Sequence, residues 1–220
     1  MRACVIIPAY NESGHIALLI RDIKNYRLDI LVIDDGSKDG TFNIAKDSQV
    51  KVMLNLNNQG KGACLVKGFK YALENNFDAV ITMDGDGQHL AQDLPLFIKA
   101  AESPDAHIII GNRMLNAAGM PFLRVITNKL MSWVISVISR QDIPDTQCGY
   151  RLIKSEVLKK IALRTSKFET ESELLIKASR MGFKIKSVPI KSVYGREKSQ
   201  INPFVDTFRF LRLLIKGKRC

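Results

Sequence analysis

Short apolar runs rich in β-branched residues alternate with amphipathic stretches through the first half of the chain, the pattern of βαβ units around a parallel sheet. Val5-Ile6-Ile7 and Ile30-Leu31-Val32-Ile33 read as the first two strands, with a helix-spaced stretch from His15 to Asn25 between them. Val50 to Leu54, Ala79 to Thr82 and His107 to Ile110 read as further strands, separated by helical stretches around Gly62 to Glu74 and Ala91 to Glu102. The expected first half is therefore an open α/β sheet, whose ligands belong in the crevice outside the carboxyl ends of the strands. Three polar segments fall at those ends: Pro8 to Asn11, Asp34 to Ser37 and Asp84 to Gln88.

After Gly111 the rhythm changes. An irregular loop leads to a helix from about Phe122 to Ser139, a turn at Asp142 to Gly149, helices near Ser155 to Ile161 and Glu171 to Met181, and a late strand over Lys184 to Ile190. The first of these helices places Phe122, Val125, Ile126, Leu130, Trp133, Val134 and Val137 near one stripe. Such a stripe more often faces a core, although its tryptophan and nearby basic residues also suit an interfacial helix. Arg124, Asn128 and Lys129 break the run well short of the roughly 20 apolar residues a spanning helix needs, so the chain is not expected to cross a membrane by itself.

At 220 residues the chain is long enough for one substantial core. One domain over 1–201 with an appendage over 202–220 is the natural division. The start lacks the basic, apolar and small-residue pattern of a leader, so the catalytic part is expected in the cytoplasm. Cys4, Cys64, Cys148 and Cys220 are too scattered for a disulfide scaffold or a zinc site and read as reduced thiols. The net charge of +11 is uneven: between Lys191 and Cys220, eight basic residues face only Glu197 and Asp206. They interleave with Phe204, Phe208, Leu211 and Leu214, which favours a basic amphipathic helix lying on the cytoplasmic face of an anionic membrane. Nucleic acid is a poorer partner, because the aromatic and basic platform of a single-strand binder is missing.

The candidate chemistry sits on the strand ends. Met83-Asp84-Gly85-Asp86-Gly87-Gln88-His89 follows an apolar strand, so Asp84, Asp86 and Gln88 can supply a partial oxygen shell for Mg²⁺ or Mn²⁺ and leave positions for substrate phosphates. Aspartate and glycine also make ordinary turns. Pro8-Ala9-Tyr10-Asn11-Glu12 and Asp34 to Thr41 follow the first two strands, where a carboxylate can accept hydrogen bonds from a ribose or base. In the second, Ser37 or Asp39 equally suits a helix cap. Asn58-Gln59-Gly60-Lys61-Gly62 opens a helix whose N–H groups and lysine attract phosphate, but it is not the loop of a nucleoside triphosphatase.

Taken in order, PAYNE, DDGSKDGT, NQGKG, DGDGQH, Gly111-Asn112-Arg113 and Asp145 to Arg151 closely resemble the family 2 glycosyltransferases of GT-A fold, nearest to the dolichyl- or polyprenyl-phosphate mannose or glucose synthases. The resemblance covers Ile6 to about Ile201. It implies a Rossmann-like, mostly parallel α/β sheet with flanking helices, to which the tail adds a C-terminal amphipathic helix. It also implies inverting, metal-dependent transfer of a hexose from a GDP- or UDP-sugar to a polyprenyl phosphate. By the family pattern Pro8, Tyr10, Glu12 and Asp34 hold the nucleotide, with Asp35, Lys61 and Gly85 beside them, and Asp84, Asp86 and Gln88 bind the metal. Arg113 and Arg124 match the acceptor-phosphate arginines. Tyr194 to Ser199 would bring Arg196, with Lys198 and Ser199, over the site, while Gln147, Glu169 and Glu171 would meet the acceptor or sugar.

Two departures bear on this. Many relatives carry a proline soon after Gln-His, whereas here Leu90-Ala91-Gln92-Asp93-Leu94 precedes Pro95. Larger members add transmembrane helices, so attachment is expected here from amphipathic helices or a membrane-anchoring partner. The acceptor stays open: a lipid phosphate is already anionic and needs no strong base, whereas a soluble or glycan hydroxyl would need Glu169 or Glu171 as base. A non-catalytic sugar-nucleotide-binding protein is the remaining alternative, disfavoured because both metal carboxylates are kept.

Overall fold

The computed structural model describes residues 1–117 and 119–193, so Arg196, Lys198, Ser199 and the segment 202–220 lie outside the described residues. Seven strands, β1 (Ala3–Ala9), β2 (Asp29–Asp34), β3 (Lys51–Leu54), β4 (Ala79–Thr82), β5 (Ile108–Asn112), β6 (Arg151–Lys154) and β7 (Ile185–Pro189), form one sheet in the order β3-β2-β1-β4-β6-β5-β7. β1 pairs in parallel with both β2 and β4, and β2 with β3, so the strand ends bearing the polar segments all point the same way. The helices are α1 (Ile16–Lys24), α2 (Thr41–Asp47), α3 (Lys61–Glu74), α4 (Leu94–Ala101), α5 (Phe122–Ser139), α6 (Ser155–Lys160) and α7 (Glu169–Arg180). The expected α/β class with a mostly parallel sheet is the observed one.

The continuous apolar character of β1, β2 and β4 follows from position. Val5, Ile6 and Ile7 of β1, Leu31, Val32 and Ile33 of β2 and all of β4 are buried, because helices cover both faces of the sheet's centre. α3 crosses β1 closely at Gly68: a Cβ there would lie 2.6 Å from Ile6 Cγ2 and 3.1 Å from Ile33 Cδ1. The absence of a side chain sets that helix-to-sheet distance.

Two features differ from expectation. β6 falls where a turn leading directly into a helix was expected, and it runs antiparallel between β4 and β5. It is only four residues long, with no alternation to read, and its first residue is a buried arginine. The guanidinium of Arg151 donates to the carbonyls of Thr146 at 2.8 Å, Cys148 at 2.8 Å and Glu171 at 2.9 Å, which makes an inward arginine tolerable.

The second difference is the orientation of α5. Its buried stripe is Asn128, Ser132, Ile135 and Ser139, at helical spacing, whereas Phe122 is 79% and Trp133 64% exposed, with Ile126, Leu130 and Val137 outward as well. The core expectation for the apolar stripe is overturned for these five residues, while Val134 of the same stripe packs against the core. The inward face packs over the loop that precedes β6, whose polar groups need partners: the Ser132 hydroxyl accepts from the Thr146 N–H at 2.9 Å, and Ser136 from the Ile143 N–H at 3.0 Å. Among the described residues α5 alone is long and apolar enough, by length and composition, to cross a membrane. Its inward polar stripe holds it to the domain.

Replacing Gly68 with alanine should lower stability by about 1–3 kcal/mol, although alanine is the better helix former by about 1 kcal/mol, because the added methyl has no space between α3 and β1. Urea unfolding followed by circular dichroism checks this; an unchanged or raised midpoint would show that α3 can shift away.

Candidate active site

The loops at the carboxyl ends of β1, β2 and β3 are laced to one another by short polar side chains. Asp39 accepts from the N–H of Thr41 at 3.1 Å and its hydroxyl at 2.6 Å, and from the Ser13 N–H at 2.9 Å; these bonds, against the opposing effect of burial, lower its pKa to about 2. Thr41 in turn accepts from the Glu12 N–H at 2.9 Å, and Ser37 from the Asn11 N–H at 2.9 Å. Asp35 is buried and accepts from the N–H groups of Gln59 at 2.9 Å and Gly60 at 2.7 Å and from the Asn55 amide at 2.8 Å. That carboxylate therefore anchors the start of α3, and with it Lys61.

Lys61 Nζ stands 2.5 Å from Asp84 Oδ1 and 3.1 Å from Glu171 Oε2. Burial favours the neutral amine, but the two carboxylates outweigh it and hold the ammonium charged well above its ordinary range. Burial likewise opposes ionisation of Asp84, while Lys61, with smaller help from His89 and Arg113, keeps that carboxyl below its usual range. Gly149 is what lets the pair form: a Cβ at that position would lie 2.5 Å from Asp84 Oδ2 and 2.7 Å from Lys61 Nζ. The Thr82 hydroxyl, at the end of β4, donates to the Gly149 carbonyl at 2.6 Å and holds it there. His89 Nδ1 accepts from the Asp84 N–H at 3.1 Å, which leaves the ring proton on Nε2. Burial, aided by Arg113 and Lys61, lowers the His89 pKa to about 4 and keeps the imidazole neutral.

These groups line a cleft of about 650 Å³. Of the residues expected at a site, Pro8, Tyr10, Glu12, Asp35, Lys61, Asp84, Gly85, Asp86, Gln88, Arg113, Arg124, Gln147, Glu169 and Glu171 all border it. Asp34 stands apart beneath the loops: its Oδ1 accepts from the Ser37 N–H at 2.8 Å, and its Oδ2 is buried without a partner. Arg113 reaches the cleft with its guanidinium already clamped by Asp145, Nε to Oδ2 at 2.8 Å and Nη2 to Oδ1 at 2.9 Å, both side chains buried. Asp145 had no role in the sequence reading beyond its motif. Lys167, Thr127 and Met131, also on the cleft wall, carried no sequence signal, since nothing in their spacing ties them to the strand ends.

The donor set suits a hard cation that arrives with phosphate. Asp84, Asp86 and Gln88 offer only oxygens, the Asp86 carboxylate accepting from the Gln88 N–H at 3.0 Å to shape the loop. Among the described residues no three His, Cys, Asp or Glu side chains converge into a metal cage, which leaves room in the shell for water or substrate oxygens. Cys4, Cys64 and Cys148 are free and buried, and burial pushes each thiol up to about 12, which leaves them inert.

Comparison with known proteins identifies the family and the fold. The family model described as "Glycosyl transferase family 2" matches residues 4–162. The UDP-N-acetylglucosamine–dolichyl-phosphate N-acetylglucosaminyltransferase of Methanococcus voltae is 31% identical over 213 residues, covering 86% of this chain and 85% of its own. The undecaprenyl-phosphate mannosyltransferase of Micrococcus luteus is 30% identical over 207 residues, covering 88% and 84%. Glucosyl-3-phosphoglycerate synthase from Mycobacterium tuberculosis, solved with Mn²⁺, UDP and glucosyl-3-phosphoglycerate, superposes with a TM-score of 0.74 at 17% identity over 97% of this chain and 77% of that one. At that identity the likeness shows the shared fold.

The wall carrying Lys167 and Phe168 is itself clasped by one carboxylate. Glu173 accepts from the N–H groups of Arg164 at 3.0 Å and Thr165 at 2.9 Å and from the Thr165 hydroxyl at 2.6 Å, and pairs with Lys177 at 2.6 Å. Burial acts against it, but these donors lower its pKa below the ordinary 4.5. A lowered folded pKa contributes stability that is fully present above the unfolded value and is lost as pH falls through the folded one. Glu173→Gln should therefore be less stable than the parent by about 1–3 kcal/mol at pH 7, and the gap should close as pH falls below about 4.5. Urea midpoints at pH 7, 5, 4 and 3 measure this; parallel pH profiles would remove Glu173 as the clasp.

Proposed function

The chain belongs to glycosyl transferase family 2, and from that premise we propose that it moves a hexose, mannose or glucose, from a GDP- or UDP-sugar to a polyprenyl phosphate, with inversion and with a divalent metal. It is a glycosyltransferase; the acceptor, the sugar and the metal are the proposal. The observation that carries it is the two-sided character of one cleft. Its floor holds Asp84, Asp86 and Gln88, and its far wall is α5, which offers Arg124, Thr127, Leu123 and Met131 to the cleft and an uncovered apolar face to the outside among the described residues. Two relatives of 30–31% identity carry names that specify dolichyl or undecaprenyl phosphate, which supports a lipid phosphate as acceptor.

Asp84, Asp86 and Gln88 would hold Mg²⁺ or Mn²⁺, which when bound supplies Lewis-acid neutralisation of charge on the leaving diphosphate. Pro8, Tyr10 and Glu12, on the loop after β1, flank the nucleotide side. Arg124 attracts the acceptor phosphate, and Arg113, its plane fixed and its charge offset by Asp145, offers rigidly placed N–H groups at the same side of the cleft. An acceptor phosphate is anionic at neutral pH and attacks the anomeric carbon without a base. Glu171 is already paired with Lys61, so it serves the electrostatics of the floor. Glu169 keeps a buried Oε2 without a partner, which suits a sugar hydroxyl as donor. Arg196, Lys198 and Ser199 are proposed to close over the acceptor from the segment after β7.

The outward face of α5, together with the basic segment 202–220, suits a protein lying on the cytoplasmic face of an anionic membrane. Phe122, Leu130 and Trp133 would enter the interface while Arg124 remains at the level of the phosphates.

A panel of GDP- and UDP-sugars incubated with polyprenyl phosphate and Mn²⁺, followed by organic extraction, should yield one labelled glycolipid. Transfer confined to a soluble acceptor would replace this reading with the soluble-acceptor one. Asp86→Ala should lose more than a hundredfold in turnover, corresponding to about 3 kcal/mol of charge stabilisation, and retention of a tenth of turnover would refute its role. Arg124→Ala should raise KM for polyprenyl phosphate at least tenfold while donor affinity stays within about twofold. Leu130→Glu with Trp133→Glu should reduce flotation with anionic vesicles; equal flotation of the double variant would take α5 out of the membrane contact.

A further inference from the structure

The carboxylate that leads the metal loop already has a cation beside it. Lys61 Nζ lies 2.5 Å from Asp84 Oδ1 and 3.1 Å from Glu171 Oε2, and its side chain is only 16% exposed. The position is built from several directions. Asp35 holds the backbone at Gln59 and Gly60, the Gly149 backbone leaves no room for a side chain between the pair, and Arg151 Nη2 stands 3.7 Å from Glu171 Oε1 behind it. Each element serves to keep an ammonium at this point.

A divalent ion bound to Asp84 would share that carboxylate with Lys61 at short range in a largely enclosed site, where like charges repel strongly. A lysine stem is flexible and its ammonium can turn to another anion, whereas its anchor at the start of α3 is rigid. Phosphate oxygens entering the cleft offer the ammonium such an anion. We infer that Lys61 is an internal counter-cation that competes with the metal for Asp84, so that the free protein takes up divalent metal poorly and takes it up well only together with a nucleoside diphosphate. The inference rests on the metal-dependent reading of the cleft and adds to it an order: diphosphate and metal enter as a unit. It also gives Lys61 two successive partners, Asp84 before the donor arrives and the diphosphate afterwards.

The test is Mn²⁺ binding to the whole protein, followed by electron paramagnetic resonance, with Mn²⁺ alone and with Mn²⁺ plus UDP or GDP. Lys61→Met and Lys61→Gln remove the charge, Lys61→Arg keeps it, and circular dichroism confirms that each variant is folded. Lys61→Met and Lys61→Gln should bind Mn²⁺ alone at least tenfold more tightly than the parent, and the diphosphate should raise their Mn²⁺ affinity at least tenfold less than it raises the parent's. Lys61→Arg should behave like the parent. If the parent binds Mn²⁺ with the diphosphate but neither neutral variant binds Mn²⁺ alone more tightly, the counter-cation inference falls and the metal reading stands. If neither diphosphate promotes Mn²⁺ binding in the parent and Asp84→Asn changes nothing, both fall together.

Discussion

An ammonium held between two carboxylates is the interaction on which the cleft depends. Asp84 follows β4 at a position only partly open to water, where burial by itself favours the protonated carboxyl. Lys61 prevents this from the first residue of α3, and α3 begins there because Asp35 satisfies the N–H groups of Gln59 and Gly60. Glu171 reaches the same ammonium from α7, and Arg151 ties α7 to the strand beside β4 through the Glu171 carbonyl. The ends of β2, β4 and β6 and the start of two helices are thus coupled through one positive charge. Moving any of them moves the carboxylate that lines the cleft.

The glycines of this region serve the same arrangement. At Gly149 a methyl group would collide with both Asp84 and Lys61, and at Gly62 with the Thr170 hydroxyl and the Lys167 carbonyl. They are absences of side chain at points where charged groups or backbones must approach within hydrogen-bonding distance, which is a packing constraint as strict as any in the apolar core.

α5 inverts the usual helix logic, and the reason is local. Its inward face meets the polar backbone of the loop that carries Asp145, Thr146 and Gln147, so hydroxyls at Ser132 and Ser136 belong inside. Ile135 packs inward, but Phe122, Ile126, Leu130, Trp133 and Val137 are turned outward, leaving an apolar surface uncovered among the described residues that water does not favour. On the proposed reading, a membrane would resolve that cost and at the same time deliver a lipid phosphate beside Arg124. One helix orientation therefore couples the stability of the acceptor wall to the proposed location of the reaction.

Much of this was legible along the chain. Val5-Ile6-Ile7, Ile30 to Ile33 and Ala79 to Thr82 declared themselves as buried parallel strands because both of their faces are covered, and polar segments directly after them had to lie at the ligand-binding edge. Their order also marked the family, and with it most of the residues that border the cleft. The strand Arg151–Lys154 escaped because four residues led by an arginine carry no period, and its burial depends on carbonyls supplied by Thr146, Cys148 and Glu171. The outward turn of α5 escaped because periodicity reports that a helix has two faces without reporting which one meets polar backbone. Asp145 clamping Arg113, and Lys61 standing between Asp84 and Glu171, join residues 32, 23 and 110 positions apart. Sequence alone determined most of the elements and the chemistry at their ends; only the tertiary structure decided which charge neutralises which, because that pairing is set by distances between elements and not by spacing within any of them.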